Sequence, residues 1–453
     1  MPAANYKDND TIVARVTPAG RGGVAIIRIS GPDVCSLAKQ LLKTSPEPRT
    51  AIYARFFDAA DEIIDTGIAL YFPGPASFTG EDVLEFQGHG GALLVEMILE
   101  RALELGARLA EPGEFSRRAF LNDKIDLSQA EAIADLIDSG SRAAARAAQR
   151  SLQGNFSSAI LSLNHKLTEL RMFVEAAIDF PEEEIDFLSD SKLKARLDDV
   201  AATFVALEKT VKQGRLLRDG IHVVLAGRPN AGKSSLLNAL AGYDAAIVTD
   251  IPGTTRDIVR EHIDLDGLPL HVIDTAGLRD TTGKVELEGI KRARAQIEKA
   301  DHALLIVDAS DENPRLVATL REEIPEGIGY TVVRNKIDLI GGQSGLDAEL
   351  PDVINISAKQ GLGLDELRKH LKSAVGYEFD GHESITARQR HVDSLNRARL
   401  HFDEGSRQLT EFSAGELMAE ELLQAQNALA EITGQFTSDD LLGEIFSRFC
   451  IGK

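Results

Sequence analysis

The octapeptide Gly227-Arg228-Pro229-Asn230-Ala231-Gly232-Lys233-Ser234 stands mid-chain, directly behind the apolar run Ile221-His222-Val223-Val224-Leu225-Ala226. An apolar run of this kind reads as a buried strand leading into the loop. Gly227 and Gly232 let backbone N–H groups turn inward around phosphate oxygens, and the helix after the loop adds its positive end. Lys233 is placed to reach β and γ phosphates, and the Ser234 hydroxyl to ligate Mg²⁺. Alone, the pattern fits many nucleotide enzymes. The segments downstream of it narrow the choice.

Four of them come in chain order: Gly253-Thr254-Thr255, Asp274-Thr275-Ala276-Gly277, Asn335-Lys336-Ile337-Asp338 and Ser357-Ala358-Lys359. Together with the first they select GTP. Asp338 sets the base, because one carboxylate accepts two hydrogen bonds from the guanine edge that adenine cannot supply. Thr255 is the second hydroxyl expected on Mg²⁺, on a loop that orders only with the γ-phosphate present. Asp274 follows the strand His271-Val272-Ile273 and is expected to hold the Mg²⁺ hydration shell, while Gly277 offers its N–H to the γ-phosphate. The expected GTP contacts begin with Asn230, Ala231, Gly232, Lys233, Ser234 and Ser235. They continue through Thr249, Asp250, Ile251, Pro252, Gly253, Thr254 and Thr255, then Asp274, Thr275, Ala276 and Gly277. Asn335, Lys336, Asp338, Ser357, Ala358 and Lys359 complete them.

Ras-like GTPases place a glutamine directly after the third segment to orient the attacking water. Leu278 stands there and cannot do so. Arg279, Asp280 and Glu286 are polar alternatives nearby, and spacing does not choose among them.

A chain of 453 residues has room for about three domains. Hydrophobic content of 43% and charged content of 27% are those of a soluble globular protein, and no apolar run approaches the roughly 20 residues that span a bilayer. The opening stretch has no apolar signal core and is too acidic for a transit peptide. Two cysteines, Cys35 and Cys450, make no disulfide framework and suit a reducing cytosol, so a cytoplasmic location is expected. The net charge of −21 repels nucleic acid on average, so any RNA contact must be local or shared with a partner. Arg142, Arg146 and Arg150 form one helical stripe that could make such a contact or be an ordinary solvated face.

The expected architecture is multidomain. Residues 1–121 read as α+β, with strands at Val24 to Ile29, Gly67 to Phe72 and Val83 to Phe86, a helix from Leu93 to Leu105, and punctuation at Gly88-His89-Gly90-Gly91. Residues 122–218 read as all-α, broken near Phe180-Pro181. Residues 219–377 alternate strands near 221, 259, 270, 303, 330 and 353 with helices, as a doubly wound α/β sheet does. Helices resume over 378–453, from Ala387 on, with Thr437-Ser438-Asp439-Asp440 as a capping start. Helices on both sides of an α/β module suggest one helical domain with the GTPase inserted into it.

Outside the nucleotide motifs, Asn9-Asp10-Thr11-Ile12-Val13-Ala14, Gly20-Arg21-Gly22-Gly23-Val24, Phe78-Thr79-Gly80-Glu81-Asp82, Asn122-Asp123-Lys124 and the terminal Phe449-Cys450-Ile451-Gly452-Lys453 resemble the MnmE (TrmE) family of tRNA-modification GTPases. The resemblance covers essentially the whole chain. It implies a partner, the FAD-dependent flavoprotein MnmG, in a heterotetramer that places a C5 aminomethyl-type (carboxymethylaminomethyl) group on the wobble uridine of certain tRNAs. It implies a homodimer formed through the amino-terminal domain, which resembles folate-binding modules. That domain would hold a 5-formyl- or methylene-type tetrahydrofolate as one-carbon donor, lined by Arg28, Glu85, Lys124 and Lys453. The resemblance further implies that K⁺ bridges paired GTPase domains, with Asn230, Thr249, Ile251 (through its carbonyl) and Thr254 as ligands. Glu286 matches the catalytic carboxylate that positions water. Cys450 reads as a packing residue, since nothing nearby would activate its thiol.

Two other readings share these motifs. A ribosome-assembly GTPase would carry a basic RNA-binding module, which this acidic chain does not evidently have. A non-enzymatic folate- and GTP-binding scaffold would have no use for Lys233, Ser234, Thr255 and Asp274 together.

Overall fold

The structure is a computed structural model that describes residues 10–179, 191–242, 262–274, 297, 300–311, 313, 315–377, 384–435 and 439–452. It divides into two compact units, one of residues 1–134, 160–164 and 423–453, the other of 135–159 and 165–422. No described helix is long and apolar enough to cross a membrane.

The first unit is built on a six-stranded sheet of β1 (Ile12–Arg15), β2 (Gly22–Ser30), β3 (Ile52–Phe57), β4 (Ile63–Phe72), β5 (Val83–Gly90) and β6 (Arg108–Leu109), in the order β3-β4-β5-β2-β1-β6. Successive side chains on a strand point to opposite faces. Ala25, Ile27 and Ile29 of β2, with Leu84 and Phe86 of β5, therefore enter one core. There they pack under α1 (Val34–Leu42) and α2 (Ala92–Glu104), through residues such as Leu37, Leu41, Val95 and Ile98. The opposite face carries Ile12 and Ala14, which α3 (Glu114–Leu121) covers with Phe115. The strands at 24–29 and 67–72 and the helix after residue 93 appear where the sequence places them. The Gly88-His89-Gly90 stretch does not punctuate. It continues β5, because β5 passes so close to its neighbours that a Cβ at Gly88 would overlap the Asp65 carboxylate.

The helices α4 (Leu127–Asp138), α5 (Arg142–Leu152), α6 (Asn155–Asp179) and α7 (Ser191–Asp219) lead to the second sheet. The break near Phe180-Pro181 lies outside the described residues. That sheet consists of β7 (Ile221–Gly227), β8 (His262–Leu265), β9 (Leu268–Asp274), β10 (His302–Asp308), β11 (Gly329–Asn335), β12 (Gly345–Leu346) and β13 (Val353–Asn355), ordered β12-β13-β11-β10-β7-β9-β8. The central strands are parallel and buried on both faces, as their unbroken apolar runs require. Val223 and Leu225 enter one core with Leu236 of α8 (Lys233–Ala241) and Leu367 of α10 (Leu364–Ala374). Val224 and Ala226 enter the other, with Leu316 and Leu320 of α9 (Leu316–Glu322). The helices α11 (Gln389–Phe412), α12 (Gly415–Thr433) and α13 (Asp439–Ser447) follow; the residues that would cap α13 are outside the described set.

The insertion has a physical anchor. Asp135, whose side chain is 5% exposed, accepts from Arg218 at 2.8 Å and from Arg388 at 2.8 Å. Arg218 lies just before the α/β module and Arg388 just before α11, so one carboxylate pins both of its ends. The β8–β9 hairpin is held as well, by Ser141 Oγ donating to the Gly267 carbonyl at 2.9 Å. On α5 the arginine stripe is not uniform: Arg142 and Arg146 are exposed, whereas Arg150 donates to the Ser384 carbonyl at 3.1 Å.

Candidate functional site

The described parts of the nucleotide segments lie at the carboxyl ends of β7, β9, β11 and β13, where an open α/β sheet presents its ligand. Between the end of β7 and the start of α8 the chain turns on two left-handed residues, Asn230 at φ 65° and Gly232 at φ 98°. Glycine is required at the second, since a Cβ would overlap the Asn335 amide. Gly232 is also the N-cap of α8, so unpaired N–H groups of the first helical turn line the loop. Lys233 Nζ donates across it to the carbonyl of Gly227 at 2.8 Å. Ser234, Ser235 and Asn230 are exposed at its rim, where the Ser234 hydroxyl and the Asn230 amide supply the oxygen donors that hard cations take.

Asn335 holds the pieces together. It is 2% exposed, its Nδ2 donates to the Ala231 carbonyl at 3.0 Å, and its Oδ1 accepts from the N–H groups of Lys336 at 2.9 Å and Ala358 at 3.0 Å. One amide thus fixes the glycine-rich loop at Ala231, the turn at Lys336 and the Ser357-Ala358-Lys359 segment against each other. Ser357 is buried and Lys359 exposed.

Asp338 sits in a 3-10 turn, Ile337–Leu339. Its Oδ1 is buried with no hydrogen-bond partner, and its Oδ2 lies 3.5 Å from Gln360 Nε2. A buried carboxylate oxygen without a donor is costly. Guanine brings two N–H donors on one edge, which is the ligand chemistry this atom fits. Beside it Lys336, left-handed at φ 67°, donates from Nζ to Asp308 Oδ2 at 2.7 Å. The Lys336 ammonium, with Ser310 behind it, holds the Asp308 carboxyl down at about 2. Asp274 closes β9 opposite Leu225. Residues 249–255 and 275–280 and Glu286 lie outside the described residues.

In the first unit, Arg28 and Glu85 are register partners on β2 and β5. Arg28 Nε donates to Glu85 Oε1 at 2.8 Å, and the guanidinium lies 5.4 Å from the Phe78 ring and 5.5 Å from the Phe115 ring. Lys124 is exposed after α3, in a turn that Asn122 ties to the Thr79 carbonyl at 2.7 Å. The carboxyl-terminal segment docks by an Ile451–Pro112 bridge and by the Gly113 N–H donating to the Cys450 carbonyl at 3.3 Å. Lys453 is outside the described residues.

Sequence reasoning missed three features here. Asp308 ends an apolar strand on the ligand side of the sheet, and that position was its signal. Arg118, 8% exposed, pairs with Asp10 at 2.6 Å, with Glu81 at 3.1 Å and with Glu114 at 3.1 Å. Burial pushes the Asp10 and Glu114 carboxyls up, but hydrogen bonds from Arg108, with Arg118 assisting, outweigh it and leave both below the usual range. Long-range clusters of this kind have no periodicity to read. The third is His89, whose ring is held by Asp65 Oδ1 at 2.7 Å.

The family profile for the MnmE helical domain matches residues 127–450, and that for the GTP-binding protein TrmE N-terminus matches 11–124. A helical profile that begins before the α/β module and ends after it accords with an insertion. The tRNA modification GTPase MnmE of Chromohalobacter salexigens is 57% identical, covering 100% of this chain and 100% of its own. That of Erwinia tasmaniensis is 55% identical over 98% of this chain and 99% of its own. The Pasteurella multocida protein of the same name is 55% identical over 98% and 100%. The chain belongs to the MnmE family of tRNA modification GTPases.

Proposed function

We propose that this protein hydrolyses GTP to GDP and phosphate in the service of tRNA modification. Working with an MnmG-type FAD flavoprotein, it adds a carboxymethylaminomethyl-type group to C5 of the wobble uridine, with a tetrahydrofolate derivative as one-carbon donor. The observation that carries this reading is the full-length match to curated tRNA modification GTPases, at 57% identity. The buried, unpartnered Oδ1 of Asp338 supports guanine as the base.

In this reading Lys233 and the loop N–H groups bind the phosphates, Ser234 and Thr255 hold Mg²⁺, and Asp274 orders its hydration shell. Asn230, Thr249, Ile251 and Thr254 hold K⁺, which supplies the positive charge that an arginine finger provides elsewhere. Glu286 positions the attacking water in place of the glutamine that Leu278 displaces. Arg28, Glu85, Lys124 and Lys453 bind the folate in a homodimer formed through the amino-terminal domain. The domains run 1–121, 122–218, 219–377 and 378–453, and the protein works in the cytoplasm.

Mass spectrometry of wobble-uridine nucleosides, in tRNA from cells with and without the gene, tests the reading. Loss of the modification, restored by the intact gene but not by an Asp274→Ala version, is expected. Unchanged nucleosides in cells with no redundant enzyme would overturn the tRNA role.

A further inference from the structure

Asp308 closes β10, the strand that lies between β7 and β11. Its register partner is Asn335 on β11, and two residues earlier Ile306 stands opposite Gly227, where the glycine-rich loop begins. The carboxylate is thus placed between that loop and the turn at Lys336. Both of its oxygens are engaged. Oδ1 accepts from the Ser310 N–H at 3.0 Å and from the Ser310 hydroxyl at 2.6 Å, which fixes the plane of the carboxylate. Oδ2 accepts from Lys336 Nζ at 2.7 Å. With its carboxyl held down at about 2 by Lys336 and Ser310, Asp308 is fully charged at neutral pH and so is its partner.

Lys336 is tethered at its other end as well. Its backbone is left-handed at φ 67°, and its N–H donates to Asn335 Oδ1 at 2.9 Å. A lysine with a loose head keeps about 2 kcal/mol of rotamer freedom, whereas this one is held at backbone and ammonium alike. Its stem therefore runs in one course, from the turn that carries Asp338 toward the end of β10. Asp308, Ser310 and Lys336 line a cavity of about 530 Å³ together with Arg228, Asn230 and Ala231 of the glycine-rich loop. A flat base set on Asp338 needs an apolar wall, and the methylenes of a lysine held in this way supply one. Asp308 already neutralises the ammonium, so what the stem contributes does not depend on how many phosphates the ligand carries.

We propose that Asp308 is a positioning residue for nucleotide binding, which holds the Lys336 side chain across the site so that its stem walls the base of a guanine nucleotide. Asp308 acts through Lys336 and does not itself touch the nucleotide. This role rests on the reading of Lys336 and Asp338 as the base side of the GTP site, and adds to it a residue outside the nucleotide motifs.

The full-length protein and its variants are titrated calorimetrically with GDP and with a non-hydrolysable GTP analogue, and melted without nucleotide. Asp308→Ala is expected to weaken both ligands by the same factor, about 10-fold, the loss of one charge-assisted hydrogen bond. Asp308→Glu, which keeps a carboxylate for the ammonium, is expected to bind within about threefold of the parent. Lys336→Met keeps an apolar stem but gives up the held head, and is also expected to lose about 10-fold. In that background Asp308→Ala should cost no more than about twofold further, because the two residues act as one unit. If the parent binds GDP but Asp308→Ala binds it within twofold, the role of Asp308 is overturned and the nucleotide reading stands. If Asp308→Ala costs as much with Met at 336 as with Lys, or lowers the nucleotide-free melting temperature in step with affinity, its role is structural and the inference falls. A loss confined to the GTP analogue would place Asp308 at the γ-phosphate or its metal and overturn it equally. If the parent binds neither ligand, the nucleotide reading falls and this inference with it.

Discussion

The side-chain amide of Asn335 donates to the carbonyl of Ala231 at 3.0 Å, joining the turn that carries Asp338 to the loop between β7 and α8. Its oxygen is taken by two further N–H groups, so the residue works as a clamp between motifs. Asn335→Ala leaves the N–H groups of Lys336 and Ala358 without their acceptor, at roughly 1–3 kcal/mol each. The expected result is a GDP affinity at least 30-fold weaker and a lower melting temperature for the GTPase module. Fluorescent-GDP titration and a thermal melt read both; unaltered affinity would remove Asn335 from this role.

In the proposed reading Asp338 discriminates the base. Asp338→Asn replaces one acceptor oxygen by a donor, which mismatches guanine and matches the additional carbonyl of xanthine. GTP binding should fall by about 100-fold or more, roughly 3 kcal/mol, while XTP gains. Competition between GTP and XTP for the variant is the measurement. A variant that still prefers GTP would mean another group reads the base.

Glu286 and K⁺ form a separable pair of expectations. Glu286→Ala is expected to abolish hydrolysis while GTP binding stays intact, and replacement of K⁺ by Na⁺ to slow the parent at least 10-fold. A variant with unchanged turnover would return the choice to Arg279 and Asp280.

The nucleotide module was legible in the sequence because each of its parts is local. Residues 227–234 are a strand, a turn and a helix start in succession, and the chemistry sets the residue types. The unbroken apolar runs at β7 and β10 likewise reveal a sheet buried on both faces. Asn335 was legible as a motif member but not as a clamp, since its partners lie at Ala231 and Ala358. In sequence His89 reads as part of a turn, because glycines at 88, 90 and 91 signal turns far more often than strands. Only the close approach of Asp65 shows why a strand needs glycine there. Arg118 stands in an ordinary helical sequence, and nothing local says that three carboxylates surround it.

Arg118 also lends itself to a single-residue test. With its side chain 8% accessible and Asp10, Glu81 and Glu114 around it, Arg118→Ala removes the ion pair of Glu81 and one of two guanidinium partners of Asp10 and Glu114, which Arg108 still holds, at about 1–3 kcal/mol. Arg118→Lys should recover little of this, because one ammonium cannot reproduce the forked contacts of a guanidinium. Chemical denaturation of the amino-terminal unit, followed beside an unaffected GTPase rate, reads the loss. Lysine restoring full stability would show that charge alone suffices.

His302 links stability to pH in the GTPase module. It opens β10, is 6% exposed, and its Nε2 lies 2.8 Å from the Thr331 hydroxyl, which in turn lies 2.9 Å from His370 Nε2. Burial, then the charge of His370, pushes the imidazole down to about 4, against a weaker upward pull from Asp352. The unfolded chain titrates near the ordinary histidine value, so between about pH 6.5 and 4 it binds more protons than the folded one. Stability from this group is therefore complete above about pH 6.5 and is lost as the pH falls through 4, by on the order of 3 kcal/mol. His302→Gln keeps a hydrogen-bonding partner for Thr331 and does not titrate, so its melting curve should vary less with pH. The comparison is the melting temperature of the GDP-shifted transition at pH 7.5 and pH 5 for the two proteins. A smaller fall in the variant is the expected result, and parallel curves would assign the acid sensitivity to other groups.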